Sequence, residues 1–332
     1  MSFLEKPLEA NKLTLKNRLV MPPMATSKSD EDGRISKDIL DYYDEKSRGG
    51  YIGLIIIEHS FITQQGKAHD RQLSIAEDNV IDGIKELADI IHKNGSKAVM
   101  QINHAGCVTK ETVTGKQTVG PSAVISPRGN VAPKELSKEE IKIIVDEFKN
   151  AAIRVKKAGF DGVEIHSAHG YLLSQFLSPL TNKRTDEYGG EIKNRSKIHR
   201  EVIKEIRKAV GDEFPILLRL GASDYMDGGL TIEDSKVAAR EFEISGVDMI
   251  DISGGFCGFT IPGVTGQGYF SELSNEIKKV IEIPVIVTGG ITEVKVAEEI
   301  LSSGKADLIG VARAIYKDSN WAKKSMENLQ IK

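Results

Sequence analysis

Residues 159–171 read GFDGVEIHSAHGY. Val163 and Ile165 belong to a short buried strand, and the strand ends in two histidines and a tyrosine. His166 and His169 are separated by two residues, and Tyr171 follows two after the second. Ser167, Ala168 and Gly170 are small enough to let the chain turn sharply between them. The pattern aims two imidazoles and a phenol into one space just beyond the strand's carboxyl end. Two imidazoles can donate paired hydrogen bonds to an oxygen, and a phenol can deliver a proton. A lone histidine is more often structural, and two histidines three apart are equally half of a metal site. The rest of the chain has to decide between these readings.

Outward from this strand, the chain alternates. Residues 18–21 form a strand that Pro22 and Pro23 must stop, since proline cannot continue a central ladder. A helix over residues 37–48 is ended by Gly49-Gly50. Residues 52–57, IGLIII, are apolar on both faces, as a buried parallel strand requires. Ile81, Ile84, Leu87, Ala88 and Ile91 make a helical stripe over residues 80–94, closed by Gly95. Residues 97–102 form the next strand. Residues 103–136 show no period, and so long an irregular segment is usually functional or mobile. Ser137 and Glu140 then form a capping box. A helix over 194–210, a strand over 214–220 and a helix from the Thr231 cap to Ser245 follow. Next come a strand over 248–252, a glycine-rich loop over 254–268, a helix over 271–281, a strand over 284–287, a helix capped by Thr292, and a last strand over 307–311.

Strands therefore start at Arg18, Ile52, Lys97, Asp161, Phe214, Asp248, Pro284 and Asp307, each followed by a helix. Such alternation means parallel strands with crossover helices. Eight units predict an α/β (β/α)₈ barrel, with an N-terminal hairpin or lid and long loops after strands 3, 4 and 6; ~250 residues is typical and insertions extend it. A doubly wound open sheet is the alternative, but its first turn would more often be glycine-rich, and here it is Pro-Pro-Met. The chain reads as one domain over residues 1–332.

In this fold the strand ends carry the chemistry. They present Pro22, Pro23, Met24 and Ala25; Glu58 and His59; Gln101 and His104; His166 and His169; Arg219; Gly289 and Gly290; and Ala312 and Arg313. A Gly-Gly turn lets backbone N–H groups approach a phosphate, the helix behind Thr292 adds its positive end, and Arg313 adds a bidentate cation. The same Gly-Gly serves equally as a tight strand-to-helix turn. Gln101 and Arg219 suit a planar heterocycle lying across the mouth, with a cation to stabilise negative charge on a reduced ring; Arg219 alone would also anchor a carboxylate. The metal alternative is the weaker one, and no metal is assigned: zinc needs a third protein ligand and an open position, and His59 and His104 are possible ligands, but Glu58 is the one carboxylate at a strand end in an obvious bridging position.

Composition narrows the class. The 332 residues are 40% hydrophobic and 28% charged with a net charge of −3, which points to neither a nucleic-acid nor a membrane surface. Cys107 and Cys257 form no CxxC pair, so neither a disulfide framework nor an iron–sulfur cluster is expected. The opening residues carry no apolar leader core, and the location expected is cytoplasmic.

The segments KNRLVMPPMAT, QINHAG, GFDGVEIHSAHGYLLSQFLSPLTNKRTDEYGG, LLRLGASDY and VIVTGGIT followed by ADLIGVAR resemble the old yellow enzyme family of NAD(P)H-dependent ene reductases. The resemblance covers nearly the whole chain in order, and the long central motif is the most specific part. It implies FMN at the barrel mouth, with NADH or NADPH as reductant. Pro22, Pro23, Met24 and Ala25 would line the flavin, with His59 nearby and Gln101 on its pyrimidine side. Arg219 would face the N1/O2 edge, and Gly289, Gly290, Ala312 and Arg313 would hold the phosphate. His166 and His169 would bind the activating oxygen of an electron-poor alkene, and Tyr171 would donate the proton.

Ala25 stands where the family usually has Thr or Cys, Ser27 takes the place of a substrate-side tyrosine found in one branch, Cys107 replaces an arginine, and His59 sits where a small residue is common. The chain has no cysteine-rich extension of the iron–sulfur members, so electrons are expected directly from a nicotinamide, and little follows Trp321 to form an arginine arm. Assembly into a homo-oligomer is left open. A flavin-free barrel acting on a phosphorylated substrate and a non-catalytic ligand-binding barrel are the competing readings.

Overall fold

The computed structural model describes residues 2–10 and 12–330. Eight parallel strands close into a barrel, here labelled β1 (Leu19–Met21), β2 (Leu54–Phe61), β3 (Lys97–Asn103), β4 (Gly162–Ser167), β5 (Ile216–Gly221), β6 (Met249–Ser253), β7 (Val285–Val287) and β8 (Leu308–Gly310). Each pairs with its sequence neighbours, and β8 closes on β1 through Ile309 opposite Leu19.

Strand parity sorts the apolar residues into two packings. Val20, Leu54, Ile56, Val99, Leu217, Met249, Ile286 and Leu308 point inward and fill the barrel. Ile55, Ile57, Met100, Val163, Ile165 and Leu218 point outward against the helices. An antiparallel hairpin, Leu8–Ala10 with Leu13–Leu15, adds Ala10, Leu13 and Leu15 to the inner packing and so closes the amino end of the barrel. The cavity is thereby confined to the carboxyl end, where the loops are long.

Some local signals hold and others do not. Ser137 and Glu140 cap Lys138–Lys157 reciprocally, and Thr231 and Asp234 do the same for Ile232–Ser245, which Gly246 ends at φ 110°. The helix expected over 194–210 is divided into Ile192–Arg195 and Lys197–Val210. The helix expected over 271–281 ends earlier, at Lys278. The irregular stretch after β3 contains a two-residue ladder, Val119–Gly120 with Lys134–Glu135. Thr292 does not cap its helix. The N-cap of Val294–Ser302 is Glu293, without a side-chain cap. Gln267 Oε1 instead accepts from the backbone N–H groups of Thr292 and Glu293, at 2.7 and 3.0 Å. Those two donors are therefore not open to an anion. Among the described residues no helix is long and apolar enough to cross a membrane.

Candidate active site

Around the strand ends lies a cavity of about 360 Å³, within the range of small-molecule and cofactor sites. It is lined by Pro22, Pro23, Met24 and Ala25 from β1, His59 from β2, Gln101 from β3, and His166, His169 and Tyr171 from β4. Arg219 from β5, Gly289 and Gly290 after β7, and Ala312 and Arg313 after β8 complete the set expected from the sequence. Ser27 is the exception. Its hydroxyl lies 3.4 Å from His69 Nδ1 and it is not part of the lining. The β1 turn that carries it is pinned by Thr26, whose N–H and hydroxyl both donate to the buried Glu58 carboxyl, at 2.9 and 2.6 Å. Burial raises that carboxyl to about 7 while the Thr26 donors pull the other way.

The motif after β4 turns as its small residues suggest. His169 is left-handed at φ 58° and Gly170 follows at φ 73°. The turn is fastened by His169 N–H donating to Gly254 O at 3.0 Å and by Arg128 donating to the His169 carbonyl. His166 and His169 sit 5.1 Å apart, centroid to centroid and nearly perpendicular, and Tyr171 is 5.0 Å from His166. His169 Nε2 pairs with Ser253 Oγ at 2.8 Å, whereas His166 Nδ1 has no hydrogen-bond partner among the described residues. Burial, reinforced by neighbouring histidines, Arg219 and Arg128, holds both imidazoles well below their ordinary value. Burial raises the Tyr171 phenol, with Arg128 opposing. At neutral pH the cavity wall therefore presents two uncharged imidazoles and a protonated phenol.

Beneath the cavity lies a polar layer that the sequence reading omitted. Glu164 and Asp251 precede His166 and Ser253 by two residues and share their inward parity. Gln101 Nε2 donates to Glu164 Oε1 at 2.7 Å. Arg219 Nε lies 3.3 Å from Asp251 Oδ2, close enough for an ion pair. The alignment is nonetheless too poor for a hydrogen bond: Arg219 Nε, both Asp251 oxygens and Gln101 Oε1 are buried without a hydrogen-bond partner among the described residues. Burial raises Glu164 well above the usual carboxylate range, with Asp251 adding to it, and raises Asp251 to about 6 against the pull of Arg219.

At the far end the backbone forms a cradle. Gly289 has φ 135° and Gly290 φ 69°; a Cβ on Gly290 would sit 2.6 Å from the Tyr269 ring and 3.2 Å from the Arg313 guanidinium. Arg313 donates to Tyr269 Oη at 3.1 Å, and Tyr269 Oη donates to Phe259 O at 2.6 Å. Phe259 and Tyr269 both line the cavity, and Phe259 stays largely exposed with its ring 6.4 Å from His169. Neither was singled out in the sequence, because the glycine-rich loop that holds Phe259 has no period to read.

These features fit FMN. The volume, the side-chain-free turn beside an exposed arginine, and a lining that includes Gln101, whose amide oxygen is unpartnered among the described residues, and the Arg219 guanidinium suit a phosphate at one end and a heterocycle at the other. No group of three or more His, Cys, Asp or Glu is placed to hold a metal ion among the described residues.

Residues 4–332 match the model of the NADH:flavin oxidoreductase / NADH oxidase family. The chain is 42% identical over 324 residues to the NADH oxidase of Thermoanaerobacter brockii, a match covering 96% of this chain and 50% of that protein. It is 40% identical over 324 residues to the NADPH dehydrogenase of Bacillus subtilis, covering 97% of this chain and 94% of that one. It thus spans about half the length of the first relative and nearly all of the second. The solved old yellow enzyme homologue from Zymomonas mobilis aligns with a TM-score of 0.86 at 28% identity, over 98% of this chain and 92% of that one. Barrel, cavity and relatives agree, and the chain belongs to the NADH:flavin oxidoreductase / NADH oxidase family, the FMN barrels of old yellow enzyme type.

Proposed function

We propose that this barrel is a single FMN-binding domain that takes reducing equivalents from NADH or NADPH and reduces the electron-poor C=C bonds of enones and related alkenes. The observation that carries this reading is the convergence of two neutral imidazoles and a protonated phenol on one cavity wall. FMN, when bound, would supply hydride transfer between the nicotinamide and an alkene carbon. Gly289, Gly290, Ala312 and Arg313 would hold its phosphate, Pro22, Pro23, Met24 and Ala25 would line its ring, and Gln101 and Arg219 would meet its polar edge.

His166 and His169 donate to the carbonyl or nitro oxygen of the substrate and draw charge away from the double bond. Neutral imidazoles suit this role, since each keeps one N–H and adds no charge to an already desolvated wall. Tyr171 gives its proton to the carbon opposite the one that receives hydride, and solvent restores it. One hydride and one proton account for the saturated product.

Purified protein is expected to be yellow, to release FMN rather than FAD by mass analysis, and to bleach anaerobically with NADH or NADPH. A colourless protein favours the flavin-free barrel, and a yellow one that no nicotinamide bleaches favours a ligand-binding barrel. His166→Ala and His169→Ala should each weaken binding of a para-substituted phenol about tenfold, the value of one hydrogen bond of ordinary strength. Titration of the flavin absorbance with the phenol measures this.

A further inference from the structure

His59 reaches the cavity only because β2 is irregular. Leu54 and Ile56 point into the barrel and Ile55 and Ile57 away from it, so strict alternation would send Glu58 inward and His59 outward. The register against β3 shifts between Ile57 and Ser60: Ile57 pairs with Met100, and Ser60 with Ile102. Two residues of β2 therefore stand against one of β3, a bulge that reverses the parity. Glu58 turns to the Thr26 backbone, and His59 joins the cavity lining.

Its ring is held in one protonation pattern. Gln72 Oε1 accepts from Ala68 N–H at 2.6 Å and Gln72 Nε2 donates to the His59 carbonyl at 3.0 Å, which fixes the amide's orientation. The same Nε2 lies 2.8 Å from His59 Nδ1, and Asn103 Nδ2 lies 3.3 Å from it. Facing amide N–H donors, Nδ1 must be the acceptor, so the ring proton is on Nε2. Burial, with His69 and Arg219 nearby, lowers the imidazole to about 3 and keeps it neutral. His59 Nε2 has no hydrogen-bond partner among the described residues, and the β1 wall of the same cavity ends in Ala25, whose side chain carries no donor.

Resting on the reading that FMN occupies this cavity, we propose that His59 donates its Nε2–H to the flavin ring and stabilises the reduced form, with Gln72 as the positioning residue that sets the tautomer. A donor preset toward a ring that gains negative charge on reduction favours the reduced state. His59 makes the contact; Gln72 acts through it.

The test is the flavin midpoint potential of the holoenzyme, taken by anaerobic reductive titration against a reference dye. His59→Ala should shift the reduced-to-oxidised ratio about tenfold toward oxidised flavin, about 30 mV for a two-electron couple. His59→Gln, which returns an N–H donor, should recover most of the shift, and Gln72→Leu should reproduce part of it. In the wild-type protein, ¹⁵N spectra should show His59 Nδ1 unprotonated and Nε2 protonated. FMN bound to His59→Ala with a wild-type potential overturns the proposal alone. So does an unchanged potential with a slowed alkene step, which would assign the donor to Tyr171, whose ring is 5.2 Å from His59. A proton found on Nδ1 overturns it even if His59→Ala fails to keep FMN. Wild-type protein that binds no FMN overturns both this and the function it rests on.

Discussion

Tyr171→Phe is expected to slow the alkene half of the reaction by roughly 10²–10⁴-fold, the usual cost of losing a positioned general acid, or about 2.7–5.5 kcal/mol in the barrier. Reduction by NAD(P)H should be nearly untouched, because that half places no proton on carbon. The phenol keeps its proton at neutral pH since burial raises it, and His166 at 5.0 Å and His59 at 5.2 Å pack its ring against the cavity wall. Phenylalanine preserves that packing and removes only the hydroxyl. Stopped-flow measurement of the two halves separately decides the matter. If both slow equally, the ring serves binding and not proton transfer; if neither slows, water or another side chain is the acid.

Much of this site was legible because a parallel barrel concentrates its chemistry where strands end, and strand ends are easy to find when the strands are apolar on both faces. Pro22 stops β1, and His166 follows Ile165 without ambiguity. The two carboxylates below the cavity escaped notice for the same reason. Glu164 in GVEIHS and Asp251 in MIDIS sit inside apolar strands, where a charge draws attention only once its parity is compared with that of His166. Parity itself fails at His59, where the bulge reverses it and only the pairing register reveals the side on which the ring lies. Thr292 illustrates a different limit. A threonine before a helix reads as a cap, yet Gln267, distant in sequence, supplies the acceptor instead.

The inner polar layer leads to a stability prediction. Arg219→Leu should destabilise the protein by roughly 3–5 kcal/mol near pH 8, because removing one partner strands buried charge of the other sign. Asp251 and Arg219 are both buried with the guanidinium 3.3 Å from the carboxylate, and Arg219 opposes the rise that burial imposes on both Asp251 and Glu164, with Gln101 also opposing it at Glu164. Without it, the native values of both carboxyls rise further above those of the unfolded chain. A carboxyl whose native value is raised binds its proton more tightly when folded, so its penalty is absent below about pH 4 and grows as pH rises toward the native value. The deficit of Arg219→Leu should therefore shrink markedly between pH 8 and pH 5, the reverse of a variant that merely loses packing. Urea unfolding of FMN-depleted wild type and variant at both pH values measures this without the mass-action contribution of bound flavin. Adding Asp251→Asn should restore much of the loss at pH 8, since the uncompensated charge is then gone. A deficit independent of pH, or one that Asp251→Asn leaves unchanged, would show that Arg219 supports the barrel through its aliphatic stem and not through its charge.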